Sequence, residues 1–234
     1  MKISVIIPCY NESNDIIKNS EQVLKKLSSL PIEYEVILVN DGSKDQTKNT
    51  ISLIKGCKAL SYEPNRGKGG AVKYGIENSN GDYCLFMDAD LSTDLSAINT
   101  LLPLLEKYDM IIGSRHHKDS KIPVKQPLKR RFIGRCCRFL VNRKLGFKYS
   151  DTQCGFKCIK SDVAKQMVAK QIINGFAFDV EYLYIAKLNN IPVKEIPIIW
   201  RDDRGSTVSP FKSSVKFFKD LKIVKKNKQN YLFR

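Results

Sequence analysis

Two carboxylates separated by one residue are the feature of this sequence that most directly suggests chemistry. Asp88-Ala89-Asp90 follows the apolar run at residues 83–87, so both acidic side chains are expected at the end of a strand. Hard divalent ions such as Mg²⁺ or Mn²⁺ prefer oxygen ligands, and an ion held here could bridge to a diphosphate. Because D-x-D also occurs often by chance, a solvated acidic turn is the alternative when the pair is taken alone.

Two other polar clusters begin where predicted strands stop. Pro8-Cys9-Tyr10-Asn11-Glu12 follows an apolar run at residues 3–7, and Asn40-Asp41-Gly42-Ser43 follows another at residues 34–39. Asp41 is therefore expected at the edge of a pocket, where its carboxylate could accept a hydrogen bond from a nucleobase N–H. The alternative for the second cluster is an Asx turn with Ser43 as the cap of the next helix.

A glycine-rich segment at residues 65–71 adds two cations. Its sequence, Asn-Arg-Gly-Lys-Gly-Gly-Ala, lacks the G-K-[ST] ending of a P-loop and the glycine spacing of a dinucleotide-binding fingerprint. What remains is a glycine-rich helix start with Arg66 and Lys68 beside it, which suits a nucleotide or its phosphates. The alternative is a loop that needs glycine for positive φ.

The elements that must position these groups alternate along the first half of the chain. The predicted strands are residues 3–7, 34–39, 58–62, 82–87 and 109–112, and the predicted helices are residues 14–29, 43–55, 68–79 and 95–107. We expect the strands to be buried on both faces. This order predicts an α/β fold with a Rossmann-like, mostly parallel sheet flanked by helices. Such sheets bind ligands beyond the carboxyl ends of their strands, so the polar clusters should converge at one edge.

The charge of the chain is unevenly distributed. The 234 residues carry a net charge of +16. Residues 116–148 have 11 Lys or Arg against one Asp, residues 210–234 have 8 against one Asp, and the remainder is close to neutral. Seven cysteines without a repeated C-x-x-C pair indicate reduced thiols and a cytoplasmic protein. No apolar run approaches the roughly 18 residues that a membrane-spanning helix needs, so none is predicted.

Both basic segments have apolar residues at helical spacing. The first helix, predicted at residues 127–145, would present Leu128, Phe132, Cys136, Phe139 and Leu140, and the second, at residues 211–226, would present Phe211, Val215, Phe218, Leu221 and Val224. Basic amphipathic helices are typical of proteins that dock on an anionic membrane. The alternative is that the apolar faces pack on the core. Nucleic acid is disfavoured as a partner, because no aromatic platform accompanies the charges and the paired carboxylates would have no role.

Several further motifs follow in order along nearly the whole chain. They are Gly113-Ser114-Arg115, the run Asp-Thr-Gln-Cys-Gly-Phe-Lys at residues 151–157, Phe178-Asp179-Val180-Glu181, Trp200 and Gly205-Ser206. In this combination the sequence resembles the family 2 glycosyltransferases of GT-A fold. It more closely resembles the branch of dolichyl-phosphate glucosyltransferases and dolichyl-phosphate mannose synthases. One departure is Asn40, which stands where the family more often has Asp.

The resemblance implies a role for each of several polar residues. The residues implied at the nucleotide sugar are Pro8, Tyr10, Glu12, Asp41, Lys68, Asp88 and Asp90. Asp88 and Asp90 would hold Mg²⁺ or Mn²⁺ at the diphosphate, with Asp90 as the direct ligand. Arg115 would face the reacting phosphates, and Asp151 would lie beside the acceptor with Gln153 in support. Asp90, Arg115 and Asp151 are therefore the expected catalytic residues.

The expected chemistry accounts for the arginines. A phosphomonoester has a second pKa near 6, so it is largely ionised at neutral pH and needs no general base. Two anionic groups must nevertheless approach each other, which makes Arg115 and at least one of Arg130 or Arg131 useful at the acceptor phosphate. Asp151 would then orient the acceptor. We expect single displacement with inversion.

The resemblance thus implies a metal-dependent hexosyltransferase. It would move glucose from UDP-glucose to a polyprenyl or dolichyl phosphate, as a single domain held peripherally on the cytosolic face of a membrane, the endoplasmic reticulum if the source is eukaryotic. Residues 1–115 would bind the nucleotide sugar, and residues 116–234 would face the acceptor and the membrane. The alternatives are a dolichyl-phosphate mannose synthase that uses GDP-mannose, or a family 2 transferase that acts on a polysaccharide or protein hydroxyl.

Overall fold

The computed structural model describes residues 1–124, 128–201 and 210–233. In chain order its elements are β1 (Lys2–Cys9), α1 (Ile16–Ser28), β2 (Glu33–Asp41), α2 (Thr47–Ser52), β3 (Cys57–Tyr62), α3 (Lys68–Glu77), β4 (Tyr83–Met87), α4 (Ala97–Leu101), β5 (Met110–Ser114), α5 (Leu128–Leu145), β6 (Phe156–Lys160), α6 (Ser161–Lys170), α7 (Phe178–Leu188), β7 (Val193–Pro197) and α8 (Pro210–Lys226). Short 3₁₀ turns follow α4 at Leu102–Leu104 and α8 at Lys228–Tyr231.

The seven strands of the described residues form one sheet in the order β3-β2-β1-β4-β6-β5-β7. Strand β6 runs antiparallel to its neighbours β4 and β5, and the other neighbouring pairs are parallel. The predicted α/β fold with a mostly parallel sheet is therefore confirmed. The insertion of β6 between β4 and β5 was not predicted, and it means that both halves of the chain build the same sheet.

Two hydrophobic clusters, one on each face of the sheet, explain why its strands are apolar at nearly every position. Ile6 packs with residues of α3, α6, α7 and α8 on one face. Val5 and Ile7 belong to the other cluster, with residues of α1 and α4. Because successive side chains of a strand point to opposite faces, a strand covered on both sides needs apolar residues in continuous series. This packing holds the carboxyl ends of β1, β2 and β4 together.

The predicted strands are all present, and their ends agree with the prediction to within two residues. Burial on both faces is wrong for β3, where Lys58, Ala59 and Ser61 are exposed, because β3 is an edge strand. The predicted helices at residues 43–55 and 95–107 are shorter than expected and shrink to α2 and α4. Ser43 is not a helix cap, since α2 begins at Thr47.

The two basic helices exist as predicted but differ in what they bury. In α8, Leu221 and Val224 of the predicted face are buried in the core, as is Phe217, while Val215 of that face is 46% exposed. The alternative, an apolar face packed on the core, therefore holds for the C-terminal half of α8. In α5, Phe132 is 66% exposed and Phe139 63% exposed. The helix is held to the core near its C-terminus, where Val141 and Leu145 are buried. Most of its apolar face is therefore uncovered.

No helix within residues 1–124, 128–201 and 210–233 combines the length and the apolar character required to cross a membrane.

Candidate active site

The polar clusters at the ends of β1, β2 and β4 meet at one edge of the sheet, as the strand order requires. Strand β1 pairs with β2 on one side, with Cys9 opposite Asn40, and with β4 on the other. Tyr10 is 43% exposed directly after β1, and Pro8 and Glu12 are partly buried. The Glu12 N–H donates to Thr47 Oγ1 at 2.8 Å, which fixes this turn against α2. These residues lie together at the edge of the sheet, and their contact with a nucleotide stays a prediction.

Asp41 is buried at this edge, and its carboxylate organises the glycine-rich segment. It accepts hydrogen bonds from the Tyr62 hydroxyl at 2.6 Å, the Asn65 side-chain amide at 3.0 Å, the Arg66 N–H at 2.8 Å and the Gly67 N–H at 2.9 Å. A carboxylate offers about four lone-pair positions, so these donors use its accepting capacity. In this structure Asp41 shapes the pocket, and its contact with a nucleobase stays a prediction.

Asn40 has a structural role beside it. Its side-chain oxygen accepts a hydrogen bond from the Ser43 N–H at 3.1 Å, and its amide donates to Ser61 Oγ at 2.9 Å. The bond to Ser43 closes this loop at the third residue after Asn40, rather than at the second as in the Asx turn considered for the cluster.

The glycines that open α3 permit a close approach by the loop before α7. A Cβ on Gly67 would lie 2.6 Å from the carbonyl oxygen of Asn174, and Gly67 has a φ of +98°. The same carbonyl accepts a hydrogen bond from the Gly70 N–H at 3.1 Å. The glycine-rich segment therefore needs glycine at residue 67 for two reasons, the positive φ and the close packing against Asn174. One N–H of the helix start is used within the protein rather than left for a phosphate.

The strand-end carboxylates, Asp88 and Asp90, lie in different surroundings. Asp88 forms an ion pair with Lys68 through one oxygen. Its other oxygen lies against Gly155, where a Cβ would come within 1.9 Å of it. Asp90 is exposed, and its carboxylate accepts the Ser92 N–H at 2.8 Å. Gly155 therefore makes room for Asp88, and Asp90 is the more accessible of the two.

A buried ion pair beneath Asp88 was not predicted. Lys157 is fully buried in β6, and its ammonium donates to Asp179 at 2.5 Å and to the carbonyl of Cys154 at 2.6 Å. Burial raises the pKa of Asp179 above its ordinary value, although Lys157 and Lys68 oppose this. Burial alone would lower the pKa of Lys68, but the carboxylates of Asp88 and Asp179 raise it above its ordinary value. Lys68 is therefore held protonated by the two carboxylates, and Lys157 offsets the charge of Asp179.

The sequence does contain a signal for this pair. Lys157 interrupts the apolar run of β6, and a lysine in the middle of a buried strand requires an acidic partner. The identity of that partner depends on the packing of α7 against β6, which the sequence pattern does not specify.

Arg115 and Asp151 form a bidentate ion pair beyond the end of β5. The Arg115 Nε–H donates to one Asp151 oxygen at 2.7 Å and an Nη–H to the other at 2.9 Å, and the Arg115 backbone N–H adds a third bond at 3.0 Å. Burial would raise the pKa of Asp151, but the guanidinium and the backbone donors hold it well below its ordinary value. Asp151 is therefore an anion that orients Arg115, and the ion pair joins two residues predicted for the acceptor side.

Further arginines surround this pair, and we define Arg115, Arg135 and Arg138 as the arginine cluster. Burial lowers the pKa of His116, the positive charges of Arg138, Arg115 and Arg135 lower it further, and the carboxylate of Asp151 opposes them. Arg135 and Arg138 lie on α5 and were not predicted as site residues. Their spacing of three residues within the predicted basic helix was the available signal.

The remaining predicted residues are placed as follows. Arg131 is exposed on α5, and the side chain of Arg130 lies outside the described residues, as do Gly205 and Ser206. The Gln153 N–H donates to Asp151 at 3.1 Å, and its side chain is exposed. Trp200 lies under Arg115, with the guanidinium carbon 5.4 Å from the ring centroid.

The donor set at the strand ends suits a hard cation with few protein ligands. Across residues 1–124, 128–201 and 210–233, no group of three or more His, Cys, Asp or Glu is arranged to hold a metal ion. Mg²⁺ is usually held by one or two carboxylates, with substrate phosphates and water completing its octahedron. Asp88 and Asp90 fit that requirement in one of two ways. Either the Lys68–Asp88 ion pair breaks and both carboxylates bind the ion, or Asp90 is the only direct protein ligand.

Comparison with known proteins identifies relatives of this chain. Residues 4–168 match the family described as Glycosyl transferase family 2. A dolichyl-phosphate beta-glucosyltransferase of Dictyostelium discoideum is 36% identical over 94% of this chain and 72% of its own length. The human protein of the same name is 32% identical over 96% of this chain and 75% of its own.

Solved structures share the fold at lower identity. Glucosyl-3-phosphoglycerate synthase from Mycobacterium tuberculosis, in complex with Mn²⁺, UDP and glucosyl-3-phosphoglycerate, matches with a TM-score of 0.68 at 16% identity, over 97% of this chain and 79% of that one. Another structure of the same enzyme gives a TM-score of 0.70, also at 16% identity, over 97% of this chain and 80% of that one. These neighbours establish the GT-A fold.

Proposed function

Because the chain belongs to glycosyl transferase family 2, we propose that its site transfers glucose from UDP-glucose to the phosphate of a polyprenyl phosphate, of the dolichyl phosphate type. The observation that carries this proposal is the arginine cluster next to the strand-end carboxylates. Arg115 lies over Trp200, which pairs with Thr93 three residues after Asp90, and Gly155, four residues after Asp151, lies against Asp88. The two groups therefore belong to one site. Such a site suits an anionic donor on one side and an anionic acceptor on the other.

The glucosyl donor is supported by the relatives. The curated proteins to which this chain is 32–36% identical are named as dolichyl-phosphate beta-glucosyltransferases. One structural neighbour is described in complex with Mn²⁺ and UDP-glucose, and another with Mg²⁺ and UDP. UDP-glucose and a divalent ion are therefore the donor and cofactor that we propose for this chain.

The residues of the chain divide the work of the transfer. We assign Tyr10, Pro8 and Glu12 to the edge that receives the nucleotide. Lys68, held protonated beside Asp88, is a cation that can turn to the diphosphate. Asp90, with or without Asp88, would hold a divalent ion, and when bound that ion would stabilise the negative charge that develops on the departing UDP.

On the acceptor side, the arginine cluster binds the phosphate and offsets its repulsion from the diphosphate. Arg115 is preoriented by its bidentate pair with Asp151. Its remaining N–H groups can therefore bind the acceptor phosphate with little further loss of side-chain entropy. Asp151 stays ionised and orients Arg115, because an ionised phosphate needs no base. The phosphate oxygen attacks the anomeric carbon as the bond to UDP breaks, and a single displacement of this kind inverts the configuration.

The activity is tested with a panel of donors and acceptors. Purified protein is incubated with radiolabelled UDP-glucose or GDP-mannose and a polyprenyl phosphate, and label is extracted into organic solvent. We expect extraction only with UDP-glucose and a divalent ion. The polyprenol without phosphate is the matched control, and no transfer to it is expected. Transfer from GDP-mannose, or to a hydroxyl acceptor in preference to the phosphate, would refute the proposal.

We propose that α5 docks the protein on an anionic membrane. Its outward residues Phe132, Ile133, Phe139 and Leu140 are exposed beside the basic residues Arg131 and Arg135. Apolar insertion and attraction between Lys or Arg and anionic lipids act together at such a surface, at about 1 kcal/mol for each cation. Two members of the arginine cluster, Arg135 and Arg138, lie on the same helix, so docking brings a lipid-borne phosphate toward Arg115.

Vesicle binding distinguishes α5 from α8. We expect the protein to co-sediment with vesicles of phosphatidylserine and phosphatidylcholine, and the double variant Phe132→Ser, Phe139→Ser to bind about tenfold more weakly because apolar contact is lost. The matched control replaces two exposed apolar residues of α8, Val215→Ser and Ile223→Ser. An equal loss in both variants, or no binding by the unaltered protein, would contradict the assignment to α5.

A further inference from the structure

Glu195 is a carboxylate behind the arginine cluster that the proposed transfer does not use. It lies on the edge strand β7, opposite Ile112 of β5. Its Oε1 accepts hydrogen bonds from the Ser150 N–H at 3.0 Å, the Ser150 hydroxyl at 2.6 Å and the Asp151 N–H at 3.1 Å. Its Oε2 shares the Ser150 N–H at 3.0 Å. One side chain thus fixes the backbone of two consecutive residues.

The hydrogen bonds of Glu195 connect to the Arg115–Asp151 ion pair. The backbone that Glu195 holds is that of Asp151, whose carboxylate holds Arg115 through three hydrogen bonds. The Ser150 hydroxyl also bonds to Ser114 Oγ at 2.6 Å, and Ser114 immediately precedes Arg115. Glu195 therefore reaches Arg115 from both sides of the ion pair, by way of Asp151 and by way of Ser114.

We propose that Glu195 is a positioning residue that sets the Arg115–Asp151 ion pair against the acceptor phosphate. It touches neither donor nor acceptor in this scheme and acts by fixing residues 150–151. Burial lowers the pKa of Arg138, a second member of the arginine cluster, and the charges of Asp151 and Glu195 oppose this. This inference deepens the proposed function and rests on it for its kinetic test. Its effect should fall on the acceptor side of the reaction.

The geometry predicts which substitution preserves the role. Three of the four hydrogen bonds end on Oε1, so the Oε1 of glutamine can keep them, while the amide NH2 that replaces Oε2 exchanges the shared bond for a contact between two donors. We expect Glu195→Gln to stay within about fivefold of the unaltered kcat/KM for the polyprenyl phosphate. Glu195→Ala removes every bond, and we expect a loss of about 10- to 100-fold, because small displacements of a positioning group have effects of that size.

The matched control is Glu35→Ala. Glu35 likewise bridges two elements, accepting the Ser4 hydroxyl at 2.6 Å and the Asn80 N–H at 2.7 Å, but it lies near the start of β2. Steady-state kinetics are measured against polyprenyl phosphate, and the affinity for UDP is measured by calorimetry. We expect Glu195→Ala to lower the acceptor kcat/KM with UDP affinity within twofold, and Glu35→Ala to lower neither.

A second measurement needs no activity. In ¹⁵N-labelled protein without substrates, the Arg115 Nε–H resonance, assigned by its absence in Arg115→Lys, should exchange slowly with water because it is bonded to Asp151. We expect Glu195→Ala to speed this exchange at least about tenfold and Glu195→Gln to leave it close to the original rate. Because this signal does not depend on transfer, it tests the positioning even if the proposed glucosyl transfer fails.

The outcomes decide between the possibilities. An acceptor kcat/KM within twofold in Glu195→Ala, an unchanged Arg115 exchange rate, or a parallel fall in UDP affinity would overturn the proposal. If Glu195→Ala does not fold, Ser150→Ala removes the hydroxyl that both Glu195 and Ser114 bind. That variant should then show faster Arg115 exchange and an acceptor kcat/KM about three- to tenfold lower. Unchanged values in Ser150→Ala would equally overturn the proposal.

Discussion

Replacing Asp90 with asparagine should reduce kcat by about 10³-fold or more at saturating Mn²⁺ or Mg²⁺. Asp90 is the accessible carboxylate of the strand-end pair, whereas the oxygens of Asp88 lie against Lys68 and Gly155. An amide oxygen is a weaker ligand for a hard cation and brings no charge. The loss should therefore appear both in turnover and in the Mn²⁺ bound in the presence of UDP, measured by electron paramagnetic resonance.

The chain supplies a matched control four residues away. Asp94 accepts the Ser96 N–H at 2.9 Å, just as Asp90 accepts the Ser92 N–H at 2.8 Å. Asp94→Asn thus makes the same chemical change in a second turn of the same kind, and we expect this variant to retain activity and Mn²⁺ binding. Wild-type turnover by Asp90→Asn with added Mg²⁺ or Mn²⁺ would contradict the assignment.

Replacing Arg115 with methionine should lower kcat/KM by about 10²- to 10³-fold, the usual effect of removing one group that stabilises charge in a transition state. Arg115→Lys should recover little of this, because an ammonium cannot reproduce the bidentate pair with Asp151. The measurement is the same transfer of label into organic solvent, at varied polyprenyl phosphate. Wild-type kcat/KM in Arg115→Lys would show that the fork geometry is not needed.

The Arg115 substitution also has a stability consequence with a definite pH dependence. In the unaltered protein the folded-state pKa of Asp151 is low, so its stabilisation is present above its unfolded pKa of about 4 and is lost below it. Without the guanidinium, burial dominates and the folded-state pKa of Asp151 rises. Arg115→Met should then be about 3 kcal/mol less stable at neutral pH, as expected for a buried charge that loses its partner.

Thermal unfolding tests the sign. The difference in Tm between the two proteins should be largest near about pH 7 and should shrink toward about pH 5, as Asp151 of the variant takes up a proton. The double variant Arg115→Met, Asp151→Asn is the matched control, because it has no carboxylate to titrate at this position. A Tm difference that widens on acidification would contradict the proposed origin of the effect.

The strand ends could be predicted because their information is local. Val5, Ile6 and Ile7 are apolar in series since each face of the sheet is covered, and a polar cluster after such a run must lie at the ligand-binding edge. The positions of Asp88 and Asp90 follow from that rule alone. The Arg115 and Asp151 pair was expected at the acceptor from the resemblance, but its bidentate geometry was not.

The parts that escaped prediction depend on contacts between distant segments. The order of strands places β6 between β4 and β5, and only this insertion brings Gly155 against Asp88 and Lys157 beneath the site. The glycine-rich segment was predicted either to bind phosphates or to need positive φ, and the approach of the Asn174 carbonyl to Gly67 was not expected. Helix α8 has the same basic amphipathic pattern as α5, and only the packing shows that Phe217 belongs to the core.

Trp200 gives the acceptor site an optical property of its own. It is the sole tryptophan of the 234 residues, and the Arg115 guanidinium lies over its ring. The fluorescence of the whole protein excited at the indole band therefore originates next to the arginine assigned to the acceptor phosphate. A phosphate that draws the guanidinium away from the indole alters the emission of that single fluorophore. Unlabelled lipid phosphates can thus be titrated against the native enzyme, without a donor and without turnover.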